Sequence, residues 1–172
     1  KTIAVNDEGV SEARLCLHES EVKTIVVCMS GTGPTTYVTK RPAFNFFEEL
    51  ANGFCNEGIA LLSYNRRGCE TGDTHPLFVE VDSVKYAKYT PLQEAEDVEV
   101  MISFLRKDQR FAGCKMLLYG LREGTIIASL VADRKIADID ALLLHGYAHE
   151  NMYDIIRWQD EGHGIMIMAN SH

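Results

Sequence analysis

The run Lys115-Met-Leu-Leu-Tyr-Gly-Leu-Arg-Glu-Gly-Thr-Ile-Ile-Ala-Ser-Leu-Val-Ala132 decides the fold. Met116 to Tyr119 is a short apolar run of the kind that forms a buried strand, and Ile126, Ile127, Leu130 and Val131 fall on one face of a helix. Only Gly120 to Gly124 separates the two, so the segment reads as strand, sharp turn and helix. Glycines at both ends of the turn let the backbone bend tightly and let the helix approach a neighbouring strand. That places Arg122 at the tip, above the carboxyl end of a sheet.

Upstream, Thr2 to Val5 and Ala13 to His18 flank Asp7-Glu8-Gly9 and predict two short antiparallel strands at the leading edge of that sheet. Thr24 to Met29 is a β-rich run that Ser30-Gly31-Thr32-Gly33-Pro34 ends abruptly. Phe44, Phe47, Leu50, Ala51 and Phe54 recur at helical spacing before Gly58, with Phe46 off that face. Ile59 to Tyr64 predicts another strand, entering the turn Asn65-Arg66-Arg67-Gly68-Cys69. In that turn Arg67 reads as the structural arginine, bonding the surrounding loops, and Arg66 as the exposed one. Residues 74–90, with His75, Tyr86 and Tyr89, read as a long loop or short helix over the top of the sheet.

Pro91 opens a helix whose buried stripe is Leu92, Ala95, Val98, Met101, Ile102 and Leu105. Its acids Glu94, Glu96, Asp97 and Glu99 cluster near the positive end of the helix, which accounts for them without catalysis. Ala141 to Leu144 is a further strand ending at His145-Gly146. Four strands near 25, 59, 116 and 141 joined mainly by helical crossovers predict an α/β fold: three layers, a mostly parallel sheet with helices on both faces. A single domain over residues 1–172 is expected, with 151–172 an atypical C-terminal segment. There, Asn151 to Gln159 reads as a short helix and residues 164–168 as a terminal strand.

Composition bounds the function. With 46% apolar and 24% charged residues the chain is an ordinary globular sequence, and its formal charge of -8 argues against nucleic acid or an anionic membrane surface as partner. No apolar run approaches the roughly 18 residues of a membrane span. Cys16, Cys28, Cys55, Cys69 and Cys114 show neither disulfide nor zinc spacing, so a reducing, cytoplasmic setting is expected, with no metal and no cofactor.

The residues Gly120-Leu121-Arg122-Glu123-Gly124, the loop Gly31-Thr32-Gly33 and the later Arg67-Gly68 turn occur in an order that resembles the α/β-hydrolase family, in its serine esterase and serine peptidase-like branch. The resemblance covers roughly residues 1–150. It implies that Gly120 to Gly124 is the nucleophile elbow Gly-x-Ser-x-Gly and that the Gly31 to Gly33 loop offers oxyanion-binding amides. Glu123 matches the Ser-Glu-Gly form of the elbow. The chain departs from the family in three places: Arg122 stands at the serine position, Asn65 replaces an acid before the Arg-Gly turn, and the later acid and histidine segment has no counterpart. The resemblance therefore implies a truncated α/β-hydrolase-like architecture.

An arginine is permanently protonated and cannot attack a carbonyl, so ordinary serine hydrolase activity is not expected of this chain alone. Ser30, Cys69 and Thr125 are alternative nucleophiles, none at the elbow tip. Asp154 or Asp160 with His163 or His172 would form a compressed acid and base, and His145 and His149 either border the pocket or sit in loops. Two functions stay open. One is a degenerate, pseudoenzyme-like protein acting by binding or assembly, with Arg122, Leu121, Glu123, Gly31, Thr32 and Gly33 around a small anion or a plugged cavity. The other is an acyl hydrolase whose catalytic groups are altered or come from a missing region or partner chain. An exposed sheet edge makes a homo-oligomer or complementary chain the expected partner.

Overall fold

The computed structural model describes residues 2–5, 11–17, 22–38, 45–73, 78–147, 151–158 and 161. In chain order it contains β1 (Thr2–Val5), β2 (Ser11–Cys16), β3 (Thr24–Met29), α1 (Phe46–Asn56), β4 (Ala60–Tyr64), β5 (Cys69–Thr71) and β6 (Val79–Val81). α2 (Ser83–Tyr86), α3 (Pro91–Lys107), β7 (Lys115–Leu121), α4 (Glu123–Arg134), β8 (Ala141–His145) and α5 (Met152–Trp158) follow. Six strands form one sheet in the order β1-β2-β4-β3-β7-β8. The β1-β2 and β2-β4 pairs are antiparallel, and the rest are parallel.

Strands in the middle of a parallel sheet are covered on both faces, and the sequence of β3 shows it. Ile25, Val27 and Met29 join Met116, Leu118, Val98, Ile102 and Ile127 in the core under α3 and α4. Val26 and Cys28 face the other way, onto Phe47, Ala51 and Leu61 beneath α1. Period-two alternation in one strand thus feeds two cores, one on each side of the sheet. From β3 the chain leaves toward α1, and from its neighbour β7 toward α4 on the opposite face. Adjacent strands whose exits diverge open a crevice at their carboxyl ends, and the turn after β7 sits there.

Two expectations change. Residues 78–90 hold β6, which pairs with β5 as a two-stranded ribbon, followed by α2. Leu92 is not in the buried stripe of α3 but 55% exposed, while Glu94 turns inward. The first turn of α3 lies past the apolar part of the sheet, over the polar end where Arg66 is buried, so a carboxylate and not a leucine finds its partner there. The first turn is capped as Pro91 predicts, with Thr90 Oγ1 accepting from the Gln93 N–H at 3.1 Å. The proposed strand at 164–168 lies outside the described residues, and no helix among them is long and apolar enough to cross a membrane.

Glycine at two positions is a steric requirement. A Cβ on Gly120 would lie 2.4 Å from the Gly124 carbonyl oxygen, and one on Gly124 would lie 2.3 Å from the Met29 oxygen. Backbone cannot yield as a side chain tip can. Gly124→Ala should therefore cost at least about 2 kcal/mol in urea denaturation, whereas Gly53→Ala should stabilise by about 0.5–1 kcal/mol. Gly53 stands inside α1 with open space where a Cβ would go.

Candidate functional site

The turn after β7 holds Arg122 at φ 50° and ψ -112°. Lys135, with φ 56° and ψ 23°, is an ordinary left-handed helix cap; Arg122 lies outside that well, in a conformation that costs on the order of 1–3 kcal/mol in a non-glycine residue. Hydrogen bonds at both ends of the residue hold it there. Its N–H donates to the His145 carbonyl at 2.8 Å, and its carbonyl accepts from the Thr125 N–H at 2.9 Å and Thr125 Oγ1 at 2.5 Å. The side chain projects into solvent at the rim of the crevice. Its stem lies against Gly31 on one side, with Cδ 3.6 Å from a Cβ position there, and against Gly146 on the other, with Cγ 3.6 Å away.

Beneath the turn lies a buried polar network centred on Arg66. The expectation that Arg66 is exposed is wrong: it is 1% exposed, because the end of β4 carries it under the loop after β3. Its guanidinium donates to Glu94 Oε2 at 2.9 Å and to the carbonyls of Gly31 and Gly33 at 3.1 and 2.6 Å, and reaches Ser30 O at 3.5 Å. Tyr64 donates to Glu94 Oε1 at 2.7 Å, and the Tyr89 ring lies 4.4 Å from the Arg66 carbon. Burial opposes the charge of Arg66, and the Glu94 carboxylate, with Tyr89, Tyr64 and Glu123 adding to it, raises the pKa on balance. Burial likewise raises Glu94, with Arg66 and Tyr64 pulling it back down.

The peptide plane turns this network into a site. In a trans peptide the N–H points opposite to the carbonyl. With the Gly31 carbonyl accepting from Arg66 and that of Ser30 3.5 Å from it, the Gly31 and Thr32 N–H groups face away from the guanidinium. Glu123 opens α4, so its N–H has no intrahelical acceptor.

The remaining candidates fall into place around these groups. Arg67 pairs with Asp97 on α3, its Nε donating to Oδ2 at 3.1 Å and its Nη2 to Oδ1. Gly68 has φ 76°, and a Cβ there would lie 2.7 Å from the Tyr86 nitrogen, so it fixes the turn against α2. Ser30 accepts from Thr35 Oγ1 at 3.3 Å and is buried. Thr125 is fully buried, its hydroxyl spent on the Arg122 carbonyl. Cys69 is 4% exposed and burial raises its thiol pKa, which is the opposite of activation.

Glu123 does not neutralise Arg122. Its Oε1 accepts from the Tyr89 hydroxyl at 2.9 Å, and Oε2 is buried without a partner. His145, the one histidine among the described residues, shares a 3.0 Å hydrogen bond with the Tyr119 hydroxyl and, among those residues, none with a carboxylate. At the start of α5 the Asp154 N–H donates to Asn151 Oδ1 at 3.0 Å, and the Asp154 carboxylate accepts from Asn151 Nδ2. Asp160, His149, His163 and His172 lie outside the described residues. A cavity of about 520 Å³ opens at the amino end of β8, lined by Lys135, Asp138, Asp140 and Leu142, and shares no residue with the elbow. Sequence reasoning missed Arg66, Glu94 and Tyr89 because each sits in a stretch whose composition looks solvent-facing.

This architecture is that of known hydrolases. A dienelactone hydrolase from Anabaena variabilis superposes with a TM-score of 0.62 at 13% identity, over 84% of this chain and 61% of that one. An α/β serine hydrolase homologue from Coxiella burnetii gives 0.59 at 15% over the same shares. A thermostable carboxyl esterase from Bacillus coagulans gives 0.66 at 14%, over 94% of this chain and 51% of its own. No family model and no curated protein matches the sequence. The chain has the α/β-hydrolase fold and spans about half to three-fifths of the length of these structures.

Two measurements test the site's interior. Replacing Arg66 by Met leaves Glu94 buried and unpaired and should cost about 3–5 kcal/mol in chemical denaturation, with the Arg66→Met, Glu94→Leu double variant recovering much of the loss. Burial raises the thiols of Cys28 and Cys69 and pushes Cys55 up to about 12. Held as thiols below those values, they should resist iodoacetamide at about pH 8.5 in the native protein and react once it is unfolded; mass spectrometry of the labelled peptides reads this directly.

Proposed function

We propose that this chain is a catalytically degenerate α/β-hydrolase-like protein that acts by binding or assembly, with a small carboxylate or phosphate held at Arg122. The observation that carries the reading is Arg122 itself. It occupies the strained tip of a strand-turn-helix elbow, its side chain is exposed, and among the described residues no carboxylate pairs with it. A cation at a helix N-terminus opposes the macrodipole, so an external anion that neutralises it is favoured twice, by the guanidinium and by the helix amides. In the reading from sequence this tip is where the fold's hydrolases carry serine, and arginine supplies no electron pair for acyl transfer.

Assembly has its own support. Leu142, Leu143 and Leu144 of β8 are each more than a third exposed at the edge of the described sheet, and an open apolar edge favours a second copy or a complementary chain. The second reading, an acyl hydrolase completed by a further segment or a partner chain, is favoured by the preserved elbow backbone and the outward amides of Gly31 and Thr32.

Calorimetric titration with acetate and inorganic phosphate should show binding that Arg122→Ala weakens by about tenfold or more. Tyr89→Phe should weaken it by about threefold to tenfold, because Glu123 is then released to pair with Arg122. Hydrolysis of p-nitrophenyl acetate by the wild-type chain, with covalent capture by a fluorophosphonate, would overturn the degenerate reading in favour of the second.

A further inference from the structure

We infer that the Arg122 site selects a tetrahedral dianion of the phosphate class, with His145 as a second donor beside the guanidinium. The inference rests on the anion-binding reading above and adds the ligand's chemistry to it.

His145 and Arg122 are joined by the backbone. The Arg122 N–H donates to the His145 carbonyl at 2.8 Å, and Leu121 and His145 are register partners in the parallel β7-β8 ladder. Partners in a ladder send their side chains to the same face of the sheet, so the imidazole emerges beside Leu121 at the same crevice. The stem of Arg122 packs against Gly146, the next residue, which has φ 71° and no side chain to block it. One turn therefore seats the arginine and presents the histidine.

The imidazole is also oriented. Tyr119 stacks on it with ring centroids 6.3 Å apart and holds Nδ1 at 3.0 Å. The Tyr119 hydroxyl has no other acceptor among the described residues, so it donates to Nδ1 and leaves the hydrogen of the neutral ring on Nε2. In the protonated ring Nε2 carries a hydrogen as well. Either state offers Nε2–H as a donor.

The donor count then decides between ligands. A carboxylate offers about four lone-pair acceptor sites, and a guanidinium fork takes two of them. Here the fork is accompanied by His145 Nε2 and by the outward N–H groups of Gly31 and Thr32, and the acid closest in sequence, Glu123, is held away by Tyr89. A tetrahedral anion has oxygens for all of these donors and a second charge to be met; a planar carboxylate does not.

The experiment is calorimetry of the 172-residue chain with inorganic phosphate and with acetate at about pH 8, where the dianion is the main form of inorganic phosphate. Variants His145→Ala, His145→Gln and Arg122→Ala are compared with the wild type. Phosphate should bind more tightly than acetate. His145→Ala should weaken phosphate by about tenfold, leave acetate within about twofold, and be partly rescued by the donor of His145→Gln. Equal binding of the two anions, or an unchanged phosphate affinity in His145→Ala, overturns the dianion inference and leaves the Arg122 reading standing. Arg122→Ala that binds both anions as the wild type does, or a wild type that binds neither, overturns both.

Discussion

The buried pair of Arg66 and Glu94 is the interaction on which the rest of the site depends. A guanidinium and a carboxylate removed from water are tolerated only when nearly every donor and acceptor finds a partner. Here Arg66 divides its donors between Glu94 and three carbonyls of the loop after β3, Tyr64 completes Glu94, and Tyr89 lies on the guanidinium face. The loop's carbonyls are thereby committed inward. The Gly31 and Thr32 amides are turned away from Arg66 by peptide geometry alone, without any side chain to aim them.

A second constraint converges on the same place. The turn between β7 and α4 is so tight that Gly120 and Gly124 admit no side chain, and Gly124 brings the start of α4 against the end of β3. Arg122 is consequently raised on a strained backbone, beside the loop that Arg66 organises. Tyr89 links the two halves: its ring lies on Arg66 and its hydroxyl holds Glu123. Hydrolases of this fold use such a tip to expose a reactive group.

The fold was legible because its signals are local. The continuous β-rich run of β3, the apolar face of α4 and the paired glycines around Arg122 each act over a few residues, and together they imply a parallel sheet with helices on both faces. The site was legible only in part. Arg122, Gly31 and Glu123 can be named from their spacing around the turns. Arg66 cannot, because two adjacent arginines in one turn look alike until the end of β4 decides which points under the loop. The ribbon of β5 and β6 was hidden for a related reason: three-residue strands carry too few side chains to show a period.

By itself, then, the sequence determined the class of architecture and the position of its sharpest turn, since hydrophobic period and glycine placement are properties of the chain's own geometry. Only the tertiary structure decided that Glu94 is buried and Leu92 exposed, that Glu123 serves Tyr89 and not Arg122, and that His145 stands beside the elbow. Those are choices among partners brought from 23 to 34 residues away. The physical reason is that a charged side chain carries no mark of its partner: burial and pairing are set by what the fold carries to it.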